Sequence, residues 1–321
     1  MKAHTITTFA ALAAACLAGT SAYAGTPVKP GKPVKEVMQE SCITGDIGID
    51  VTSNYISKGV VWENQGLILL PYANLHFRVA QNVGPIDSVT VDLGIQSVYT
   101  DNRTNALPFG TTGNWLEFNF TAGVTLAIDK LSVSPYFKVY QSPSDVFLNT
   151  YTTGVRLAYD DTDLLGDFAL HPYALVELQL QGSRGNNFNV FAGPGTFHGR
   201  GQYYEVGITP AHSYGDLTLS LPIKGGFGTG GFYLGNRGFG FFSVGIDAEY
   251  ALNFVPECLG KWSVHSGVTY VRLGGTNTLI PGNLGAGTGA AGLAPAFFSP
   301  GTAVANDNNQ IVFGGGLKVA F

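Results

Sequence analysis

Two side chains in this 321-residue chain could form a hydrolytic pair: Ser263 and His265 stand two positions apart, which in extended backbone puts a hydroxyl and an imidazole on one face. The two-residue period around them turns that face toward the charged side of the strand, and His265 and Ser266 fall on opposite faces. His198 with Asp101 or Asp145 is a second acid and imidazole combination, but nothing in the spacing brings its members together. Gly226-x-Gly228-x-x-Gly231 and Gly287-x-Gly289-x-x-Gly292 match a phosphate-binding glycine spacing. A chain with 44 glycines produces such matches by chance, and neither opens a helix. Asp160, Asp161 and Asp163 lack the loop glycine and closing Glu of a calcium loop, and no Cys/His set has zinc spacing. The sequence therefore gives no reason to expect catalysis, a metal or a cofactor.

What remains is charge at regular spacing. Asp46, Asp50, Arg78, Asp92, Glu117, Lys138, Arg156, Glu177, Glu205, Lys224, Asp247, Glu249 and Lys318 fall on the polar side of alternating segments, eight acids against five bases. A water-filled passage lined by them would weakly favour cations. The competing reading pairs these acids and bases across a narrow, closed interior. Cys42 and Cys258 are candidates for a disulfide that closes a loop of over two hundred residues, provided their Cα atoms approach within about 7 Å.

These groups need elements to hold them. Only 12% of residues are charged and the net charge is −5, which disfavours nucleic-acid binding. Beyond the first two dozen residues no apolar run is long enough for a spanning helix. Instead the chain breaks into twelve segments of two-residue period: 45–56, 67–79, 89–100, 115–128, 131–141, 150–160, 168–181, 202–211, 216–226, 240–253, 262–273 and 311–321. In the first, Ile47, Ile49, Val51 and Tyr55 oppose Asp46, Asp50, Thr52 and Asn54. In the fourth, Leu116, Phe118, Phe120 and Val124 oppose Glu117, Asn119 and Thr121.

Eleven such residues, tilted near 40°, rise roughly 28 Å, close to the apolar band of a membrane barrel. An even strand number puts both chain ends on one side. Connections alternate in length, with the two-residue turn Asp129-Lys130 among the short ones and 182–201 and 274–310 among the long. Tyr55, Tyr99, Trp115, Tyr151, Tyr159, Tyr250, Trp262 and Tyr270 lie near segment ends, as interfacial aromatics do. The expected fold is an all-β, transmembrane, antiparallel up-and-down barrel of about 12 strands.

At the ends, Met1-Lys2, an apolar run and Ala22-Tyr23-Ala24 read as a signal peptide over 1–24. Residues 25–44, rich in Pro and Lys, read as a periplasmic tether, with the barrel over 45–321. The last run, Ile311 to Phe321, resembles the closing strand of Gram-negative outer-membrane barrels, whose terminal aromatic belongs to the assembly signal; Phe321 would fill that role. The opening, Asp46-Ile47-Gly48-Ile49-Asp50 followed by Ser53-Asn54-Tyr55-Ile56-Ser57-Lys58-Gly59-Val60, resembles a family of small bacterial outer-membrane porins. Those begin with a comparable strand ending in Asx-Tyr-x-Ser/Phe-Arg/Lys-Gly.

The resemblance implies an outer-membrane channel and assigns no residue a role. Passive diffusion of small hydrophilic solutes or ions is the expected function, with 182–201 and 274–310 as candidate constrictions. The alternative is a closed structural or adhesive barrel acting through its loops, and a barrel hydrolase stands behind both. Expected partners are outer-membrane lipid and lipopolysaccharide, the barrel-assembly machinery, small polar solutes and a second copy of the chain in a homo-oligomer. Both termini are expected in the periplasm.

Overall fold

Alternating side chains leave every strand with one greasy and one polar face, and a closed barrel satisfies both while pairing every edge. The structure is a computed structural model that describes residues 42–64, 66–101, 114–144, 149–182, 201–229, 232, 238–274 and 308–321. The signal peptide, nearly all of the tether, most of loop 182–201, most of loop 274–310, His198, Gly231 and Asp145 lie outside the described residues.

The strands are β1 (Ile43–Thr52), β2 (Tyr55–Ser57), β3 (Val60–Glu63), β4 (Ile68–Val83), β5 (Ile86–Thr100), β6 (Trp115–Ile128), β7 (Leu131–Gln141), β8 (Thr150–Tyr159), β9 (Tyr173–Gln181), β10 (Gln202–Ile208), β11 (Ala211–Tyr214), β12 (Leu217–Ser220), β13 (Ile223–Thr229), β14 (Phe239–Ala251), β15 (Lys261–Leu273) and β16 (Asn309–Ala320). All but β2 and β3 join one antiparallel sheet. It closes through β1 on β16, β16 on β15 and β15 on β14, giving a twelve-stave barrel.

Two staves are each interrupted once. Pro210 separates β10 from β11 and Pro222 separates β12 from β13. A proline lacks the N–H that a ladder needs. The two breaks lie side by side, since Leu221 N donates to Pro210 O at 2.9 Å, so the lost donors are confined to one patch of wall.

Strand periods match the expected segments closely, and β6 and β7 coincide with them. The segment expected over 168–181 begins only at Tyr173, because 162–168 coils into a short helix, α1 (Thr162–Leu165), and a 3-10 turn, Gly166–Phe168. Turns Gly84-Pro85, Asp129-Lys130 and Gly215-Asp216 close three hairpins at the end where Gly45 and Phe321 exchange both backbone hydrogen bonds. Gly84 and Gly215 adopt positive φ there, as tight hairpin turns demand.

The outer face is apolar. Ile47, Ile49 and Val51 on β1 and Ile311 and Phe313 on β16 are all more than 40% exposed, as are Phe242, Ile246 and Tyr250 on β14. Near one rim Tyr99 stacks on Trp115 at 5.6 Å and Tyr270 donates to Asn309 Oδ1 at 2.7 Å. Tyr159 and Tyr250 are exposed near the other rim.

Two expected outward residues are not outward. Leu116 is buried, because a register shift between Val98 and Tyr99 sets Trp115, rather than Leu116, opposite Tyr99. Tyr55 is also buried, because the chain leaves β1 after Thr52 and turns inward. The connection expected as an outer loop, 57–66, is therefore the greater part of a hairpin, β2 on β3, packed inside the barrel.

Candidate functional site

Side chains on staves two apart can meet over the stave between them only on the concave side of a barrel; on the convex side they splay. Three contacts fix the inward face this way. His265 Nε2 on β15 lies 3.0 Å from Asp50 Oδ1 on β1, over β16. Lys318 Nζ on β16 lies 2.7 Å from Glu249 Oε1 on β14, over β15. Tyr136 on β7 donates to Glu177 Oε2 on β9 at 2.8 Å, over Gly154 of β8.

Glycine makes these approaches possible. A Cβ on Gly154 would sit 2.7 Å from the Tyr136 ring, and one on Gly316 would run into both Asp50 and His265. Tyr72 lies on Gly48 and Tyr173 on Gly207 in the same manner, so inward tyrosines rest where the neighbouring stave offers bare backbone.

The remaining charged residues singled out above share this face by strand parity. Asp46 accepts from Asn74 Nδ2 at 3.2 Å. Asp92 holds His76 Nδ1 at 2.6 Å and accepts from Thr125 Oγ1 at 2.6 Å. Glu205 accepts from Tyr173 at 2.7 Å and from Tyr203. The bases stand over rings: Lys138 over Tyr140 at 4.7 Å, Arg156 over Tyr173 at 4.7 Å and Lys224 over Phe241 at 5.8 Å. Arg78 lines a cavity of ≈ 360 Å³ with His76 and Asp92 near the rim that carries the chain ends.

The hairpin organises the opposite half of the lumen. Val60, Val61 and Trp62 are buried with Ile68, Val98, Leu116, Tyr140, Tyr203, Phe232, Phe241, Val271 and Leu273, an apolar core enclosed by the wall. Two polar anchors fix its orientation. Tyr55 donates to Glu117 Oε1 at 2.8 Å, and Asn119 Nδ2 donates to the same oxygen at 2.7 Å. Lys58 forms an ion pair with the buried carboxylate of Glu177, donates to Tyr140 OH at 2.9 Å, and stands over the Tyr140 and Tyr203 rings.

The turn is Lys58-Gly59. Gly59 has φ +76°, and a Cβ there would lie 2.9 Å from Gly240 O, so only glycine fits against the wall. Reading the sequence as alternating segments turned His265 inward without finding its partner Asp50, and missed the roles of Lys58, His76, Tyr72 and Tyr136. The signal available for the hairpin was Val60-Val61-Trp62, an apolar triplet behind a Lys-Gly turn in a stretch otherwise read as surface loop.

The other candidate chemistries fall into ordinary structural roles. Ser263 is buried and His265 turns its Nε2 to Asp50, both inside the wall. Gly226 and Gly228 sit within β13. Among the described residues no group of three or more His, Cys, Asp or Glu is placed to hold a metal ion.

The acidic run closes a turn instead. Asp160 Oδ1 accepts from Thr162 N at 3.0 Å, which together with the Thr162 hydroxyl holds its carboxyl below the usual range. Burial alone would push the Asp161 carboxyl up. The N–H groups of Leu170 and His171, at 3.0 and 2.9 Å, outweigh it and hold that carboxyl low.

The cysteines are not joined: Cys42 and Cys258 are free, exposed thiols. Arg78 N donates to Cys42 O at 2.8 Å and holds Cys42 on the β4 side of β1. Cys258 lies in the turn Glu257–Leu259 ahead of β15, with β16 between β15 and β1.

The outward belt, the closed ladder and the charged interior settle the architecture. The chain is a transmembrane β-barrel. No protein-family profile and no curated protein sequence matches it. Among solved structures it is similar to an outer membrane channel from Pseudomonas putida F1, with TM-score 0.45 and 10% identity over 92% of this chain and 100% of that one. The KdgM porin, solved in complex with disordered oligogalacturonate, gives 0.39 and 9% over 87% and 99%. Outer membrane phospholipase A from Escherichia coli gives 0.39 and 13% over 86% and 92%. Likeness at this level extends to channels and to an enzyme alike, and it concerns the fold alone.

Proposed function

We propose that the protein is a bacterial outer-membrane channel through which small hydrophilic solutes or ions diffuse passively, narrowed by the hairpin within its lumen. The observation that carries this reading is the set of cavities along the inner wall, of ≈ 200, ≈ 340 and ≈ 360 Å³, lined largely by polar and charged side chains. A lumen that served only to close the barrel would be filled by side chains throughout, as in small barrels. In this reading both termini face the periplasm, lipid and lipopolysaccharide cover the outer belt, and the assembly machinery reads Phe321. The excess of inward acids over bases supports a weak cation preference. Oligomerisation would use the outer face and leave the lumen unchanged.

A second reading is supported by the apolar core around β2 and β3: a closed barrel that acts through its outer loops. Planar-bilayer recording of the purified protein distinguishes the two. Discrete current steps, enlarged when residues 55–63 are replaced by a short Gly-Ser link, are expected of the channel. Silence from both proteins would sink it.

A further inference from the structure

The hairpin does not fill the barrel evenly. Toward β6–β10 it is sealed: Tyr55 reaches Glu117, Lys58 reaches Glu177 and Tyr140, and the space left between Trp62, Phe232 and the wall is ≈ 10 Å³. That is about the smallest volume able to admit one water. The cavity along β4–β7 is smaller, ≈ 200 Å³, and includes Asn119, whose amide is tied to Glu117 and through it to Tyr55 of the hairpin.

Toward β13–β16 the hairpin touches the wall where Gly59 lies against Gly240 and Phe241, and a larger space opens beside that contact. A cavity of ≈ 340 Å³ lies between the hairpin and the wall, lined by Asn54, Lys58, Lys224, Ser243, Asp247 and Thr269 among others. It has room for several waters, whereas the ≈ 10 Å³ space on the sealed side has room for about one. Three charged side chains line it: Lys58 is held by Glu177, whereas among the described residues neither Lys224 nor Asp247 has an ion-pair partner within 4.0 Å.

We propose that the solute route is off-centre, passing between the hairpin and the β13–β16 wall, where Lys224 and Asp247 set the charge preference of the channel. The inference rests on the channel reading and adds to it a path and two selecting residues. A charge already engaged by a counter-ion contributes little field to a passing ion, whereas one without an ion-pair partner beside a narrow path is less offset. Charges along this path then weigh more in selectivity than the other inward charges, whose sum gives only the weak overall preference.

The test is bilayer recording in asymmetric salt. Lys224→Gln is expected to raise the cation-to-anion permeability ratio by on the order of threefold, and Asp247→Asn to lower it by a similar factor. Lys138→Gln, beside the smaller β4–β7 cavity, is expected to leave it nearly unchanged. As a second measurement, Thr269→Cys in a Cys42→Ser/Cys258→Ser background should lose current on reaction with a charged methanethiosulfonate, and Thr121→Cys in the same background should not. A larger shift from Lys138→Gln than from Lys224→Gln, or block at position 121 alone, overturns the off-centre route while leaving a channel. Absence of current from the unmodified protein overturns both.

Discussion

Lys58 is the residue on which the interior arrangement most depends. It brings a cation from the hairpin to Glu177, whose side chain is only 3% exposed, and to the Tyr140 hydroxyl. Replacing it by Met would leave a buried carboxylate without its counter-charge, a loss of about 3–5 kcal/mol where one member of a buried pair is removed. The expected result for Lys58→Met is a lower unfolding midpoint in urea together with larger, noisier current steps, since the hairpin loses the contact that seats it. Replacing both members, Lys58→Met with Glu177→Leu, should recover stability without the orientation. Asp161 offers a pH test at the same scale. Its carboxyl titrates low, so the turn it holds is fully stabilised above the ordinary carboxylate range and loses that support as pH falls below about 4. Amide exchange at Leu170 and His171, corrected for the intrinsic rate, should therefore be slow near neutral pH and accelerate in acid. Asp161→Ala should abolish the protection at every pH.

At the scale of elements, inward tyrosines pack on glycines of neighbouring staves and add side-chain contacts to the ladder. Gly48→Ala would push a methyl into the Tyr72 ring, a small-to-large change costing about 1–3 kcal/mol, and Gly48→Ala/Tyr72→Ala should be less destabilised than the sum of its parts. Urea unfolding of the four proteins in the cycle checks this. These elements also mark how far the sequence could be read. Period 2 located β6 and β7 to the residue, because a one-position error would move a whole greasy face into water. It failed where the period is locally broken. Leu116 changes face at a bulge, and Tyr55 lies past the point where β1 stops pairing, so both kept an outward phase that the backbone had already abandoned. The inward face of Asp46 through Lys318 was legible from alternation. Which partner each charge finds was not, since those contacts join staves far apart in the chain, such as β1 to β15.

For the whole molecule, the exposed belt requires a low-dielectric surrounding, and the protein should remain monodisperse only with detergent or lipid, as sedimentation in each would show. The seam between first and last strand carries a further implication. Gly45 and Phe321 exchange hydrogen bonds, Asn54 beside the hairpin donates to Gln310 Oε1, and Asp50 meets His265 across Gly316. The wall closes only where β16 pairs with both β1 and β15. Removing β16 would therefore open a slit beside the enclosed hairpin, exposing two unpaired strand edges at once.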